Sequence, residues 1–246
     1  MAEKYVAIAD LHSRSDVLKR VVDEYDGQDV RYVALGDSVG RGPDTAGVLD
    51  LLQREQAKIT WGNWEFYRMA GLLHHDLAIR DLIQNDIKPF SFSYSELQND
   101  ARSYGINPNS PSKSLIESIT KAMQERGHLD LLARAAMYFE TDDFIAIHAG
   151  LTDESWSKQK EDLIKAQKAF EAPIQVVDDP IFTLSRQQKA FEATDKIVIT
   201  GHSHIVPGPR VTALGKRVRL ASQLSMGEPL HVWQSWDGQI KSFDQR

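Results

Sequence analysis

The chain has 246 residues, a formal net charge of −6, 41% hydrophobic and 26% charged residues, and no cysteine. That length suits one large domain or two small ones, which bury roughly 70–75% of their unfolded surface and need no staple. The composition fits a soluble globular protein. It excludes disulfides and thiolate metal sites, disfavours a broad nucleic-acid or membrane-surface footprint, and offers no apolar run near the roughly 20 residues of a membrane span.

The opening residues "MAEKYVAIAD" read as a strand from the start and not as a signal peptide, so a cytoplasmic location is expected. Tyr5 to Ala9 is a short buried strand ending in Asp10. Ser13 to Tyr25 has helical spacing, with Val17, Leu18, Val21 and Val22 on one side. Val30 to Leu35 is a second strand, ending in Gly36-Asp37, and Pro43 opens a helix through Leu52. Lys58 to Trp61 is a third strand, and Glu65 to Leu73 a helix. This alternation implies a parallel sheet with helices on its faces, and such sheets gather ligands beyond the carboxyl ends of their strands.

From Leu82 to Leu132 the chain turns rich in Ser, Asn, Pro and aromatic residues, then shows a helical pattern from Leu115 to Met123. It reads as an inserted cap or subdomain within a single domain spanning residues 1–246. Strands return at Phe144 to Ile147, followed by His148-Ala149-Gly150, and at Lys196 to Thr200, followed by Gly201-His202-Ser203-His204. Short runs at Arg210 to Leu214, Arg217 to Ala221, Pro229 to Trp236 and Gln239 to Phe243 are separated by Gly-containing turns and read as antiparallel strands.

The ends of these strands hold Asp10 and His12, Asp37, Asn63, His148, and His202 with His204, so half of the eight histidines follow a strand. One such histidine alone reads as a surface or core residue. Several converging on one rim point to a metal site. Imidazole, carboxylate and amide oxygen suit Mn²⁺, Fe or Zn²⁺, and an aspartate can bridge two ions.

Asp10-Leu11-His12, Gly36-Asp37-Ser38-Val39-Gly40-Arg41-Gly42-Pro43, Gly62-Asn63-Trp64-Glu65, His148-Ala149-Gly150 and Gly201-His202-Ser203-His204 together resemble the calcineurin-like metallophosphoesterases. The family pattern is D-x-H, GDxxDRG, GNH[DE], a His before Ala-Gly, and GHxH. The "RGP" and "HAG" forms are similar to the phosphoprotein phosphatase branch, which includes serine/threonine phosphatases, phage and bacterial protein phosphatases and symmetrical diadenosine tetraphosphatases. The resemblance implies an α/β fold, an αββα sandwich of two mixed sheets flanked by helices, carrying the helical and loop insertion.

It also implies two divalent metal ions, Mn²⁺ first and Fe or Zn²⁺ as alternatives. Asp10, His12, Asp37 and His204 would hold one ion, and Asp37, Asn63, His148 and His202 the other. A shared water or hydroxide would attack phosphorus in line. Arg41 would reach the phosphoryl oxygens with a planar fork. "DDPIFTLSRQQ" resembles the family's tryptophan-serine-arginine segment and points to Arg186 as a second phosphate ligand, with a surface helix residue as the other reading.

The sequence departs from the family at two positions. Trp64 stands where the family has the His that protonates the leaving oxygen, and Gly40 where it has that His's partner Asp. Catalysis is then expected to favour leaving groups that need no proton, such as aryl phosphates and phosphoanhydrides. His74 or His75 is a candidate substitute acid, and Trp64 is readable as packing or as a stacking platform for a substrate ring. The expected partner is a phosphorylated small molecule, nucleotide or phosphoprotein, with no membrane. Two competing readings remain: a metal- and phosphate-binding regulatory module without strong catalysis, and a nucleic-acid-end phosphatase using Arg102, Lys113, Lys121 and Arg126, against which the acidic net charge counts.

Overall fold

The computed structural model describes residues 3–65, 68, 94–152, 154–169, 194–202, 208–212, 215–222, 224 and 227–245. Among these, the strands are β1 (Lys4–Ile8), β2 (Val30–Leu35), β3 (Lys58–Thr60), β4 (Tyr138–Glu140), β5 (Phe144–Ile147), β6 (Ile197–Thr200), β7 (Arg210–Thr212), β8 (Arg217–Arg219), β9 (Leu230–Gln234) and β10 (Ile240–Phe243). The helices are α1 (Ser15–Glu24), α2 (Thr45–Arg54), α3 (Tyr94–Ser103), α4 (Ser112–Glu125), α5 (His128–Ala133) and α6 (Trp156–Ala169). None of the described helices is long and apolar enough to cross a membrane.

The strands form two mixed sheets of five, ordered β10-β9-β1-β2-β3 and β4-β5-β6-β8-β7. In the first, β1, β2 and β3 run parallel, and β9 and β10 extend the sheet antiparallel. In the second, β5, β6 and β8 run parallel, with β4 and β7 antiparallel on the edges. The all-antiparallel reading of the late strands is therefore corrected at Arg217–Arg219, which pairs parallel with β6. Its neighbour β7 keeps the antiparallel register expected of a short hairpin.

Period-two alternation explains the layers. Tyr5, Ala7 and Ala9 of the β1 stretch, with Val33 and Leu35 of β2, share a cluster with Phe144, Ala146, Ile199 and Val218, and so fill the space between the sheets. Val6 and Ile8 point the other way, onto Val17, Leu18, Val21 and Val22 of α1. Each such side chain contributes roughly 1.5–3 kcal/mol by leaving water. A strand buried on both faces has no polar alternation, which is why β1 and β2 read as continuous apolar runs.

Pro43 does not open α2. Asp44 is the N-cap, its carboxylate accepting from the Gly47 N–H at 2.9 Å, and the helix begins at Thr45. Of the helix expected from Glu65 to Leu73, Glu65 and Arg68 are helical and the remainder lies outside the described residues.

Between Tyr94 and Ala133, α3, α4 and α5 build a core of their own. Leu97 and Ala101 meet Leu115, Ile116, Ile119 and Met123, and the cluster also takes in Val39, Leu49 and Trp64. α3 and α5 pack on α2. A buried polar chain ties this layer to the first strand's loop: Ser13 Oγ lies 2.7 Å from Thr45 Oγ1, and Thr45 Oγ1 donates to Asp100 Oδ1 at 2.7 Å. Arg68 pairs with Asp100 at 3.0 Å.

Candidate metal centre

The loops after β1, β2, β3, β5 and β6 meet at one rim. The first two run side by side as a continuation of the strand ladder: the N–H groups of Asp10, His12 and Ser13 donate to the carbonyls of Gly36, Asp37 and Ser38. These turns use backbone that ordinary residues avoid. Asp10, His12, Asp37, Arg41 and His202 all have positive φ, between 43° and 60°. Strained positions of this kind cluster at functional sites, where surrounding contacts hold them.

Glycine sits where backbone must touch. A Cβ added at Gly36 would fall 2.5 Å from the Gly62 nitrogen and 2.8 Å from His148 Nδ1, and one at Gly62 would fall 2.4 Å from both the nitrogen and Oδ1 of Asp37.

Two groups of ligand-type atoms share one residue. Asp10, His12 and Asp37 bring their atoms within 4.8 Å of one another, and so do Asp37, His148 and His202. His148 Nε2 lies 3.4 Å from Asp37 Oδ1, 3.2 Å from Asn63 Oδ1 and 3.1 Å from His202 Nδ1. Its Nδ1–H donates to the Leu35 carbonyl at 2.8 Å, which fixes the tautomer and leaves Nε2 as the outward electron pair. His12 Nε2 stands 3.9 Å from Asp37 Oδ2. The backbone N–H of Trp64 donates to Asp37 Oδ1, and the backbone N–H of His202 to both oxygens of Asp10.

The electrostatics of the bare protein are unfavourable. Burial pushes the Asp10 carboxyl up to about 7, although the His202 N–H and the Arg41 charge pull the other way. Asp37 is raised well above the usual carboxylate range by burial and by the neighbouring Glu65 and Asp10. Three buried carboxylates this close need positive charge, and the donor set of imidazole, carboxylate and amide oxygen fits divalent transition ions. The residues present therefore fit the two ions that the resemblance implies.

Glu65 was not singled out from the sequence, although it lies in the same Gly-Asn-Trp-Glu segment. It is fully buried, and its carboxylate accepts the N–H groups of Asp37 at 2.8 Å, Ser38 at 2.6 Å and Gly62 at 3.0 Å. It thus staples the β2 loop to the β3 loop. The signal available was an acid three residues after a glycine turn, inside a motif whose fourth position is acidic.

Trp64 is 2% exposed. Its ring stands edge to face with His12 at 5.7 Å and lies under the Arg41 guanidinium, whose carbon is 5.2 Å from the ring centroid. With so little surface open, it is not a stacking platform for a substrate base. Asp10, His12, Asp37, Asn63, His148 and His202 are all brought to this rim. His204, Arg186, His74 and His75 lie outside the described residues.

Residues 3–206 match the family model described as calcineurin-like phosphoesterase. Comparison with curated proteins gave no significant match. Among solved structures, a serine/threonine phosphatase from Saccharomyces cerevisiae is similar at 14% identity, over 99% of this chain and 80% of that one, with a TM-score of 0.62. A cold-active protein-tyrosine phosphatase of a psychrophilic Shewanella aligns at 15% identity over 99% and 81%, with a TM-score of 0.57. A candidate diadenosine tetraphosphatase aligns at 16% over 99% and 94%, also at 0.57. At these identities the likeness establishes the fold. The matched model covers most of the chain, and the chain belongs to the calcineurin-like phosphoesterase family.

Proposed function

We propose that the chain hydrolyses phosphomonoesters or phosphoanhydrides with two divalent ions, Mn²⁺ by preference. Asp10, His12 and Asp37, with His204, would hold one ion; Asp37, Asn63, His148 and His202 would hold the other. The observation that carries this reading is Asp37, shared by both ligand groups. Bound there, the ions supply an acidified water and neutralise charge on the phosphoryl group. The protein's own part is positional. Glu65 fixes the backbone on either side of Asp37, His148 is oriented from Leu35, and Arg41, with Arg186, takes the phosphoryl oxygens.

Proton supply to the leaving oxygen is the missing part. An indole N–H donates a hydrogen bond but does not titrate, and Gly40 has no side chain. General acid catalysis is worth roughly 10²–10⁴ in rate. Substrates whose leaving groups depart as stable anions are therefore favoured, whether small molecules, nucleotides or aryl-phosphorylated proteins. The helical stretch within residues 82–132 acts as an inserted layer of the single domain, fastened to the site through Trp64.

The test is hydrolysis of p-nitrophenyl phosphate with Mn²⁺, comparing the wild type with Asp37→Asn. The expected result is metal-dependent turnover that the variant loses. No metal-dependent turnover on any phosphate ester or anhydride would sink the enzymatic reading and favour a phosphate-binding regulatory module.

A further inference from the structure

The Trp64 indole touches four different things. On one side it approaches Gly40 so closely that an added Cβ there would lie 2.1 Å from Trp64 Cε3. Its edge contact reaches His12, and its face lies under Arg41. The ring also belongs to the helical layer's core, with Leu97, Leu115 and Ile119. The ring is therefore immobilised from the helical side while it faces the site.

Arg41 is differently placed. It is half-buried, at φ +60°, and its charge acts on Asp10 and Asp37 as well as on Glu96 of α3. A long flexible cation set among carboxylates on two sides has more than one place to go. A phosphate site needs it in one.

We infer that Trp64 is a positioning residue for Arg41: its indole face, clamped by α3 and α4, holds the guanidinium ready for phosphoryl oxygens. This rests on the phosphoesterase reading and sharpens it. At a position where the resembled family carries a proton donor, this ring serves instead to preorganise a cation, through attraction between the guanidinium and the aromatic face. The site so built binds the phosphate group strongly and leaves the rest of the substrate to depart unaided. Substrates are selected by phosphate charge and leaving-group acidity.

The experiment is a double-mutant cycle between Trp64→Leu and Arg41→Ala. Binding of inorganic phosphate to the Mn²⁺-loaded protein is read by calorimetry, and bound Mn²⁺ is measured alongside. Trp64→Leu is expected to weaken phosphate roughly tenfold in the wild-type background and to add little once Arg41 is gone. Trp64→Phe, which keeps a ring face, is expected to recover most of the affinity. If Trp64→Leu does not fold, Trp64→Met takes its place, since it fills volume without an aromatic face.

Additive effects in the cycle would overturn the inference, because a residue that merely packs has no reason to act through Arg41. Loss of Mn²⁺ in the Trp64 variants would also overturn it, because the effect would then run through His12. Wild-type phosphate binding left unchanged by Trp64→Leu removes this inference alone. Mn²⁺-loaded wild type that neither binds phosphate nor turns over p-nitrophenyl phosphate removes the phosphoesterase reading and this inference with it.

Discussion

Gly40 and Trp64 exclude one another's alternatives: a Cβ at position 40, where φ is +83°, would sit 2.1 Å from the Trp64 ring. Two positions 24 residues apart in sequence thus meet in one steric contact. Gly40→Asp alone is expected to destabilise the protein by about 1–3 kcal/mol through overpacking. Combined with Trp64→His, which frees the space, the same substitution should cost clearly less. Urea unfolding of the two singles and the double measures the coupling, and simple additivity would refute it.

The same double variant introduces a histidine–aspartate pair beside the candidate metal centre. It should narrow the rate gap between p-nitrophenyl phosphate and an alkyl phosphate such as a phosphoserine peptide. In the wild type that gap should be wide, on the order of the 10²–10⁴ that a general acid supplies. A leaving-group series with Mn²⁺ reads both. Equal wild-type rates on the two substrates would contradict the argument from Trp64.

Much of this was legible in the sequence for a physical reason. β1 and β2 are buried on both faces, so their apolar runs end sharply where the polar rim begins, at Asp10 and Asp37. Ligand residues at strand ends follow from that boundary. Other features leave no trace in one dimension. Asp10, His12 and His202 have positive φ, which Asp and His tolerate better than most side chains but which their identity alone does not predict. The parallel pairing of β8 with β6 is long-range, and three residues of "RVR" carry no sign of direction. Trp64 read as packing or as a stacking platform for a substrate ring; it packs, in the helical core and against His12.

Glu65→Gln tests the staple between loops. A carboxylate accepts N–H groups at both oxygens, whereas an amide turns one end into a donor facing donors. The expected loss is about 2–4 kcal/mol of stability, with reduced Mn²⁺ retention, measured by denaturant unfolding and by metal content. Unchanged stability and metal content would show that the loops hold without it.

His128 links α5 to α2 and to Tyr104, which follows α3. It is fully buried, with Tyr104 Oη at 2.7 Å from Nδ1 and Asp50 Oδ1 at 3.0 Å from Nε2, so Nε2–H donates to Asp50 and Nδ1 accepts from the tyrosine. Burial lowers its pKa below the ordinary 6.5, with Arg126 acting in the same sense and Asp50 opposing. The folded state then binds fewer protons than the unfolded one as pH falls from 6.5. The helical layer should lose stability in that range, and His128→Asn should flatten the dependence. Thermal unfolding at pH 7.5 and 5.5 checks it; equal slopes for the two proteins would exclude His128 as the cause.

Glu140 behaves in the opposite range. Burial raises its carboxyl, but Lys160, Lys196 and the Trp156 indole N–H more than offset this and bring it down to about 2. Its contribution is complete above its ordinary 4.5 and disappears as pH falls toward 2. Glu140→Gln should lower stability at neutral pH and leave it nearly unchanged near pH 2. A constant deficit at both ends would point to lost packing and not to lost charge.

The shared aspartate also divides the folding problem. Asp10, His12 and Asp37 follow neighbouring parallel strands joined by one helix, so their half of the centre needs only short-range closure. The hydrogen bond from His202 to Asp10 spans 192 residues. Closing so long a loop is slow, because its entropy must be lost before any contact compensates. The N-terminal half of the site is therefore expected to form early and the second sheet to dock late. A destabilising change in β1 or β2 should retard folding, whereas one at His148 or His202 should mainly hasten unfolding.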